Sequence, residues 1–205
     1  MKNSKYKAIL SDLGNVLVNF DHKIAVRKIL QYTAKNEEDI YNLFFDSGLT
    51  SLYERGKLSP EEFFDRVKDD LGLDIRQEDF FDIWNNIFFE VPLNIKIHTL
   101  LRKVKGECKL IMLSNINKTH FEFLKDRYSI FKDFDKLVLS YEVGFRKPAP
   151  EIYDAAVEKA GVPRDKVFYI DDRRDLVEAA AKLGIKGVAF TGEEAFLEAE
   201  REILG

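Results

Sequence analysis

The sequence predicts an α/β fold, a parallel β-sheet covered by helices on both faces, with an all-helical insertion directly after the first strand. Apolar runs alternate with helical patterns through most of residues 93–205, and such alternation is typical of βαβ units in a buried parallel sheet. Residues 21–89 contain amphipathic helical patterns and no convincing strand. We therefore predict a core domain of residues 1–17 and 93–205 and a helical cap domain of residues 18–92.

The first strand delivers a carboxylate to the place where ligands bind in a parallel sheet. Residues 7–10 are compatible with a central strand, and Asp12-Leu13-Gly14-Asn15 follows. Gly14 and Asn15 tolerate unusual backbone angles, as a tight turn requires. Ligands of open parallel sheets lie outside the carboxyl ends of the strands. Asp12 is therefore either an ordinary turn residue or part of a site.

The insertion is predicted to contain four helices, over residues 21–34, 40–45, 59–71 and 78–89. The third has the clearest boundaries. Ser59 is a suitable N-cap, Glu62 completes a capping box and Pro60 fits the first helical position. Gly72 fits the end of the helix. The many aromatic residues of the insertion favour a helical core over an aromatic binding site.

The rest of the chain is predicted to alternate between helices and strands. A helix opens at Pro92 and ends near Gly106. Strands are predicted over residues 109–114, 136–140, 166–171 and 187–190. Helices are predicted over residues 117–128, 151–159 and 176–183, and a capping box at residues 191–194 is predicted to begin the last helix.

The composition excludes several classes of protein. Hydrophobic residues make up 45% and charged residues 33% of the chain, as in a soluble globular protein. A net charge of −4 gives no basic footprint for nucleic acid. One cysteine and three histidines exclude a His/Cys zinc site and a disulfide framework. We expect a cytoplasmic protein, a monomer or weak homodimer, with no nucleic-acid or membrane partner.

Polar residues that follow four predicted strands should meet at one edge of the sheet. Each has an ordinary explanation, as a helix cap, a solvated loop charge or a helix-start acid. Two unit charges ~4 Å apart, however, repel by about 4 kcal/mol at an effective dielectric near 20. Crowded carboxylates with a lysine nearby suit Mg²⁺ and a substrate phosphate. The residues are Asp12, Ser114, Asn115, Lys147, Asp171 and Asp172.

Four separated motifs resemble, in order and spacing, those of the haloacid dehalogenase superfamily. They are Asp12-Leu13-Gly14-Asn15-Val16-Leu17, Leu113-Ser114-Asn115, Arg146-Lys147-Pro148-Ala149-Pro150-Glu151-Ile152-Tyr153 and Tyr169-Ile170-Asp171-Asp172. The insertion is similar to the family's helical C1-type cap, and residues 12–16 and 54–59 are similar to the bacterial glucose-1-phosphate phosphatase type. The resemblance implies a flavodoxin-like (Rossmannoid) core with strand order 5-4-1-2-3.

The resemblance also implies a role for each motif residue. Asp12 would be the nucleophile that forms an aspartyl-phosphate, and Lys147 would neutralise both nucleophile and phosphate. Ser114 and Asn115 would bind the phosphoryl group. The protein ligands of Mg²⁺ would be the carboxylates of Asp12, Asp171 and Asp172 and the carbonyl oxygen of Gly14.

Two positions depart from the family pattern. Gly14 stands where related phosphatases carry an acid–base aspartate, and such catalysis is typically worth ~10²–10⁴-fold. Asp21 and Glu54, near the cap, are the candidate substitutes. Leu176 stands where relatives often carry Asp or Asn, and Asp175 is the candidate replacement.

The cap is predicted to control specificity. Tyr53, Glu54 and Arg55 fall in the loop before the Ser59 helix, where they either contact the substrate or form a solvated turn. Opening and closing of the cap would use hinges near residues 17–21 and 90–93, and such motions can limit turnover.

The predicted function is Mg²⁺-dependent hydrolysis of a small phosphorylated metabolite, such as a sugar-1-phosphate whose leaving oxygen departs easily. A metal-free 2-haloacid dehalogenase and a catalytically silent binding protein are the alternatives. Asp171 and Asp172 argue against the first, since a metal-free site has no use for them. Asp12 and Lys147 argue against the second, whereas Gly14 favours it.

Overall fold

The computed structural model describes residues 5–205, and its centre is a five-stranded parallel sheet. The strands, numbered along the chain, are β1 (Ala8–Ser11), β2 (Asn19–Phe20), β3 (Phe88–Phe89), β4 (Lys109–Ser114), β5 (Lys136–Leu139), β6 (Val167–Asp171) and β7 (Lys186–Ala189). The central sheet has the order β5-β4-β1-β6-β7. Counting these five strands alone along the chain gives 3-2-1-4-5, which is the predicted 5-4-1-2-3 read from the other edge.

Helices cover the sheet and form the insertion. They are α1 (His22–Ile29), α2 (Glu37–Tyr41), α3 (Leu49–Glu54), α4 (Pro60–Leu71), α5 (Gln77–Asn85), α6 (Pro92–Val104), α7 (Lys118–Arg127), α8 (Ser140–Val143), α9 (Pro150–Ala160), α10 (Arg174–Lys182) and α11 (Glu193–Leu204). In residues 5–205, no helix combines the length and apolarity needed to span a bilayer.

The central strand is buried on both faces because its side chains alternate between two hydrophobic clusters. Ile9 belongs to the cluster beneath α6 and α11, whereas Ala8 and Leu10 belong to the cluster beneath α9 and α10. The parallel register of β1 with β4 and β6 brings the carboxyl ends of all three strands together. Asp12 therefore lies at the middle of the ligand-binding edge.

The insertion has a hydrophobic cluster of its own, built mainly from α1 to α5. Its largest buried side chains are aromatic: Phe44, Tyr53, Phe63, Phe80 and Trp84. The rings of Tyr53 and Phe63 stack with centroids 4.3 Å apart. This separate cluster agrees with the expectation of a helical core within the insertion.

Helix α4 begins and ends as predicted. Ser59 Oγ accepts a hydrogen bond from the Glu62 backbone N–H at 3.1 Å, and Glu62 Oε2 accepts one from the Ser59 N–H at 2.8 Å. Pro60 is the first helical residue, and Gly72 ends the helix in the left-handed region at φ 58°. These are local signals, so the sequence alone is sufficient to predict this helix.

Other predicted boundaries in the insertion were wrong. The first predicted helix ends at Ile29, and Leu30–Tyr32 form a 3₁₀ turn. The second combines α2 with a π-helical turn, Asn42–Asp46. The fourth ends at Asn85, and β3 pairs antiparallel with β2, although no strand was predicted here. Two-residue strands are too short to show an alternating pattern.

Two further predictions about helix starts were also wrong. Tyr53 and Glu54, predicted to lie in a loop, belong to α3, which follows Gly48 in the left-handed region at φ 79°. The predicted capping box before α11 is absent, because the helix is preceded by Gly192, whose position offers no side-chain hydrogen bond. Apart from α8, which was not predicted, the other core strands and helices lie within two residues of their predicted bounds.

The two chain connections between core and cap are tied together by Asn94. Its buried amide donates to the Val16 carbonyl at 2.8 Å and to Asn19 Oδ1 at 3.0 Å, and it accepts from the Val91 N–H at 2.8 Å. The β2–β3 ribbon joins the same two connections. The predicted hinge segments therefore form one paired joint.

A buried histidine forms a second junction between core and cap. His120, on α7, stacks on Trp84 of α5 with ring centroids 5.1 Å apart. Its Nε2 donates to the Trp84 carbonyl at 3.0 Å, because a carbonyl can only accept, and Nδ1 accepts from Asn117 Nδ2 at 3.1 Å. Burial lowers the pKa of His120 to about 3, so the packed form is neutral.

This junction predicts acid sensitivity. The folded pKa of about 3 lies below the ordinary value of 6.5, so between these values the unfolded chain binds a proton that the folded chain refuses. His120 should therefore reduce the free energy of unfolding as the pH falls below 6.5, by up to about 1.4 kcal/mol per pH unit. Urea denaturation at several pH values should show a shallower dependence in His120→Gln. Parallel curves for the two proteins would contradict this assignment.

Candidate active site

A buried lysine lies at the centre of the sheet edge. Lys147 Nζ is 3.0 Å from Asp12 Oδ1 and 2.6 Å from Asp171 Oδ2, and it donates to the Leu113 carbonyl at 3.0 Å. The Lys147 side chain is 1% exposed. The nearby carboxylates raise its pKa although burial acts in the opposite direction, so the ammonium form is held between two carboxylates.

The backbone of Lys147 is fixed by Asn115. Asn115 Nδ2 donates to the Lys147 carbonyl at 3.0 Å, and Asn115 Oδ1 accepts from the Lys147 N–H at 2.8 Å. Both polar atoms of the Asn115 amide therefore position the lysine, and these two hydrogen bonds are not part of the phosphate binding predicted for Asn115. Ser114, the residue before Asn115, is buried at the end of β4. Its hydroxyl is the group predicted to bind the phosphoryl group.

The two aspartates after β6 face different surroundings. Asp171 is fully buried; it accepts from the Tyr169 hydroxyl and from the Arg173 N–H at 2.9 Å. Asp172 is half-buried and accepts from Asn15 Nδ2 at 2.9 Å. Asn15 itself adopts φ 53°. Asp171 thus serves as the internal counter-ion of Lys147, whereas Asp172 lines the cavity described below.

The acidic groups fit a divalent cation. One oxygen from each of Asp12, Asp171 and Asp172 lies within 4.8 Å of the other two. Burial, together with the charges of Asp171 and Asp172, raises the pKa of Asp12 to about 7 against the opposing effect of Lys147. Burial raises the pKa of Asp172 as well. Hard oxygen donors are what Mg²⁺ prefers, and the charge of a bound ion would reverse these pKa shifts.

A cavity of about 300 Å³ lies between the sheet edge and the cap. The core contributes Asp12, Gly14, Asn15, Asn115, Arg146, Lys147, Asp172, Arg173 and Leu176, and the insertion contributes Phe20, His22, Phe44, Phe45, Gly48, Thr50, Ser51 and Glu54. A smaller cavity of about 50 Å³ adjoins it and is lined by Ser114. A small molecule in the larger cavity would contact both core and cap.

Of the predicted cap contacts, the structure brings Glu54 to the cavity but not Arg55. Glu54 Oε2 lies 2.6 Å from Arg146 Nε, forming an ion pair between cap and core, and burial raises the pKa of Glu54. Arg55 is absent from the lining of both cavities, and its Nε donates to the Ser51 carbonyl at 3.3 Å. The Tyr53 ring is buried, and its hydroxyl donates a hydrogen bond to Thr119 Oγ1 at 3.1 Å.

Sequence reasoning missed several cavity residues. Thr50 and Ser51 lie on the same short helix as Glu54, and recognition of α3 would have indicated one shared face. His22 follows the undetected strand β2. The family motif contains Arg146, but only the structure pairs it with Glu54 across about ninety residues of sequence.

The space beside Gly14 is filled by Phe20. A Cβ atom added to Gly14 would lie 2.7 Å from Phe20 Cε1. Asp21, a suggested substitute for the missing acid, is exposed; it caps α1 by accepting from the Lys23 N–H at 2.9 Å and does not line the cavity. The Phe20 ring thus occupies the space that a side chain at position 14 would enter.

The suggested replacement for Leu176 does not reach the acidic cluster either. Asp175 is exposed and pairs with Arg173 through a 2.6 Å contact. Leu176 is buried and lines the cavity, and its carbonyl accepts from the Tyr153 hydroxyl at 2.9 Å.

The close contact at Gly14 predicts coupling with Phe20. Gly14→Ala should lower the free energy of unfolding by about 1–3 kcal/mol, because the added methyl group meets a packed ring. In a Phe20→Ala background the same change should cost less. A double-mutant cycle measured by urea denaturation gives the coupling energy. A Gly14→Ala cost that is equal in both backgrounds would show that the ring yields freely.

Comparison with known proteins gives a consistent match. A family model described as haloacid dehalogenase-like hydrolase matches residues 6–184. A D-ribitol-5-phosphate phosphatase of Bacteroides thetaiotaomicron is 29% identical over 186 residues, 88% of this chain and 89% of that protein. A family enzyme from that organism, solved as an aspartate-to-alanine mutant with magnesium and inorganic phosphate, has a TM-score of 0.80 at 28% identity and covers 90% of this chain and 93% of its own.

A more distant structure shares the fold. The L-2-haloacid dehalogenase of Xanthobacter autotrophicus has a TM-score of 0.64 at 20% identity, with 93% of this chain and 80% of that chain covered. At this identity the likeness concerns the architecture alone.

Proposed function

The chain belongs to the haloacid dehalogenase-like hydrolase family, and we propose on this basis that it is a Mg²⁺-dependent phosphatase of a small phosphorylated metabolite such as a sugar phosphate. The observation that carries the proposal is the buried Lys147 held between Asp12 and Asp171, with Asp172 beside them. The relatives named as a phosphatase and as a magnesium and phosphate complex support it.

In the proposed reaction, an Asp12 oxygen attacks phosphorus, a bond forms between them, and the bond from phosphorus to the substrate's leaving oxygen breaks. The leaving oxygen takes a proton from solvent water, and the alcohol product departs. Water then attacks the phosphorus of the aspartyl-phosphate and gives a proton to solvent, while the bond between phosphorus and the Asp12 oxygen breaks and releases phosphate and the Asp12 carboxylate. The Lys147 ammonium, which lies 3.0 Å from Asp12 Oδ1, balances the charge of the nucleophile.

The metal fits this chemistry. Asp12, Asp172 and the Gly14 carbonyl would hold Mg²⁺, which when bound supplies the positive charge that a phosphate needs to approach carboxylates. Because the Lys147 ammonium bonds Asp171 at 2.6 Å, we propose that Asp171 supports the lysine rather than ligating the metal directly.

The two alternatives receive less support. A dehalogenase that works without metal has no use for Asp172, whose carboxylate lies within 4.8 Å of those of Asp12 and Asp171. A silent binding protein would not need a buried lysine aligned on Asp12. The Gly14 position, which favoured the silent protein, is compatible with catalysis when the leaving group departs easily.

The nucleophile predicts the first test. Asp12→Asn should lower kcat for phosphate release by roughly 10³-fold or more, because the amide is a poor nucleophile. The fold should persist, since Asp171 still pairs with Lys147. Phosphate release from a panel of sugar phosphates and an aryl phosphate measures the loss, and circular dichroism measures folding. Asp154→Asn, at an exposed ion pair with Arg164, is the matched control. Wild-type rates in Asp12→Asn would refute the mechanism.

Metal binding predicts a second test, with stability as an independent readout. Mg²⁺ should raise the Tm and chelator should abolish hydrolysis, because a ligand of the folded state stabilises it. Asp172→Asn should weaken Mg²⁺ affinity by roughly tenfold or more. Asp175→Asn, whose carboxylate is exposed on Arg173, should leave affinity unchanged. Calorimetric titration decides: equal affinities in Asp172→Asn and wild type would remove Asp172 from the site.

A further inference from the structure

Unpaired polar atoms gather around the active-site cavity. Among the side chains that the structure describes, those of residues 5–45 and 47–205, seven buried nitrogen or oxygen atoms have no hydrogen-bond partner. Four of them belong to residues that line the cavity: His22 Nδ1, Thr50 Oγ1, Glu54 Oε2 and Arg146 Nε. Because buried polar groups are nearly always hydrogen-bonded, a concentration of unpaired groups at one cavity indicates partners that belong to a ligand.

The four residues differ in whether another side chain lies opposite the unpaired atom. Glu54 and Arg146 face each other as an ion pair, although their contact lacks the alignment of a hydrogen bond. His22 and Thr50 have no such partner. Thr50 is 9% exposed, so its hydroxyl has little access to bulk water. A buried hydroxyl or imidazole that lacks a hydrogen bond lowers the stability of the folded state.

The packing of His22 holds its ring at the cavity. The imidazole lies 4.7 Å from the ring of Phe45 and 4.9 Å from that of Phe20, measured between centroids. Burial lowers the pKa of His22 to about 4. The neutral ring offers one N–H donor and one acceptor nitrogen, and Thr50 offers a hydroxyl that can do both. Both residues belong to the cap, opposite the phosphate-binding edge.

We propose that His22 and Thr50 recognise hydroxyl groups on the leaving part of the substrate, so that the substrate is a phosphomonoester of a short polyhydroxylated chain or ring. This inference rests on the proposed phosphatase function. A cavity of about 300 Å³ is at the small end of ligand sites. An alkyl or prenyl phosphate would leave the imidazole and the hydroxyl unpaired against hydrocarbon, and sites built for hydroxyl groups reject such analogues strongly.

The decisive experiment compares substrates matched in length. Wild-type kcat/KM is measured with a pentitol phosphate, an aldose 1-phosphate, n-pentyl phosphate and 4-nitrophenyl phosphate, with Mg²⁺. Of the two hydroxylated substrates, we expect the one with the higher kcat/KM to exceed the kcat/KM of n-pentyl phosphate by roughly 10²-fold or more. Thr50→Val and His22→Phe should each reduce that ratio by about tenfold, mainly through KM, because each removes a hydrogen bond to substrate.

Two variants act as controls. Thr50→Ser keeps the hydroxyl and should restore the preference that Thr50→Val loses, which separates recognition from a packing defect. Thr99→Val, on the exposed face of α6 where the hydroxyl bonds the Ile95 carbonyl, should leave the ratio unchanged.

The possible failures are distinguishable. If wild type hydrolyses no phosphate ester with Mg²⁺, the phosphatase proposal falls and the assignment of His22 and Thr50 falls with it. If wild type hydrolyses n-pentyl phosphate as well as the hydroxylated substrates, only the assignment of His22 and Thr50 is overturned. That assignment is also overturned if Thr50→Val and His22→Phe keep the wild-type ratio, or if Thr50→Ser fails to restore it.

Discussion

The ion pairs of Lys147 are the constraint on which the rest of the site depends. An ammonium group that is 1% exposed is tolerated only when carboxylates and hydrogen-bond acceptors surround it. Asp12, Asp171 and the Leu113 carbonyl provide these partners, and Asn115 fixes the backbone from which the lysine extends. The charges at the sheet edge are therefore oriented before any ligand arrives, which is how a protein stabilises charge without reorganisation.

The arrangement of this centre could be predicted from the sequence because topology creates it. Once residues 8–11, 109–114 and 167–171 are identified as neighbouring parallel strands, their carboxyl ends must meet, and Asp12, Ser114 and Asp171 meet with them. Local capping signals were equally informative at α4, where Ser59 and Glu62 bond each other's backbone. Both kinds of information are contained in short stretches of chain or in strand order.

The cap side of the cavity could not be predicted in the same way. The Glu54–Arg146 pair joins residues far apart in sequence, and the placement of His22 depends on aromatic packing across several elements. Asp175, suggested from its position alone, bonds the neighbouring Arg173 side chain instead. A charged side chain beside a motif can pair with a neighbour in sequence, as Asp175 does with Arg173. The three-dimensional structure is therefore needed to identify the groups that remain available to a ligand.

The hydrogen bonds that link the two connections between core and cap have a consequence for the acidic cluster. The Asn94 amide bonds both the Val16 carbonyl and the Val91 N–H, so one side chain links the two chain connections between core and cap. The residue before Val16 is Asn15, which holds Asp172. The short stretch Asn15–Val16 thus contacts both the connection to the cap and an acidic group of the cluster, so the attachment of the cap and the placement of Asp172 depend on the same two residues.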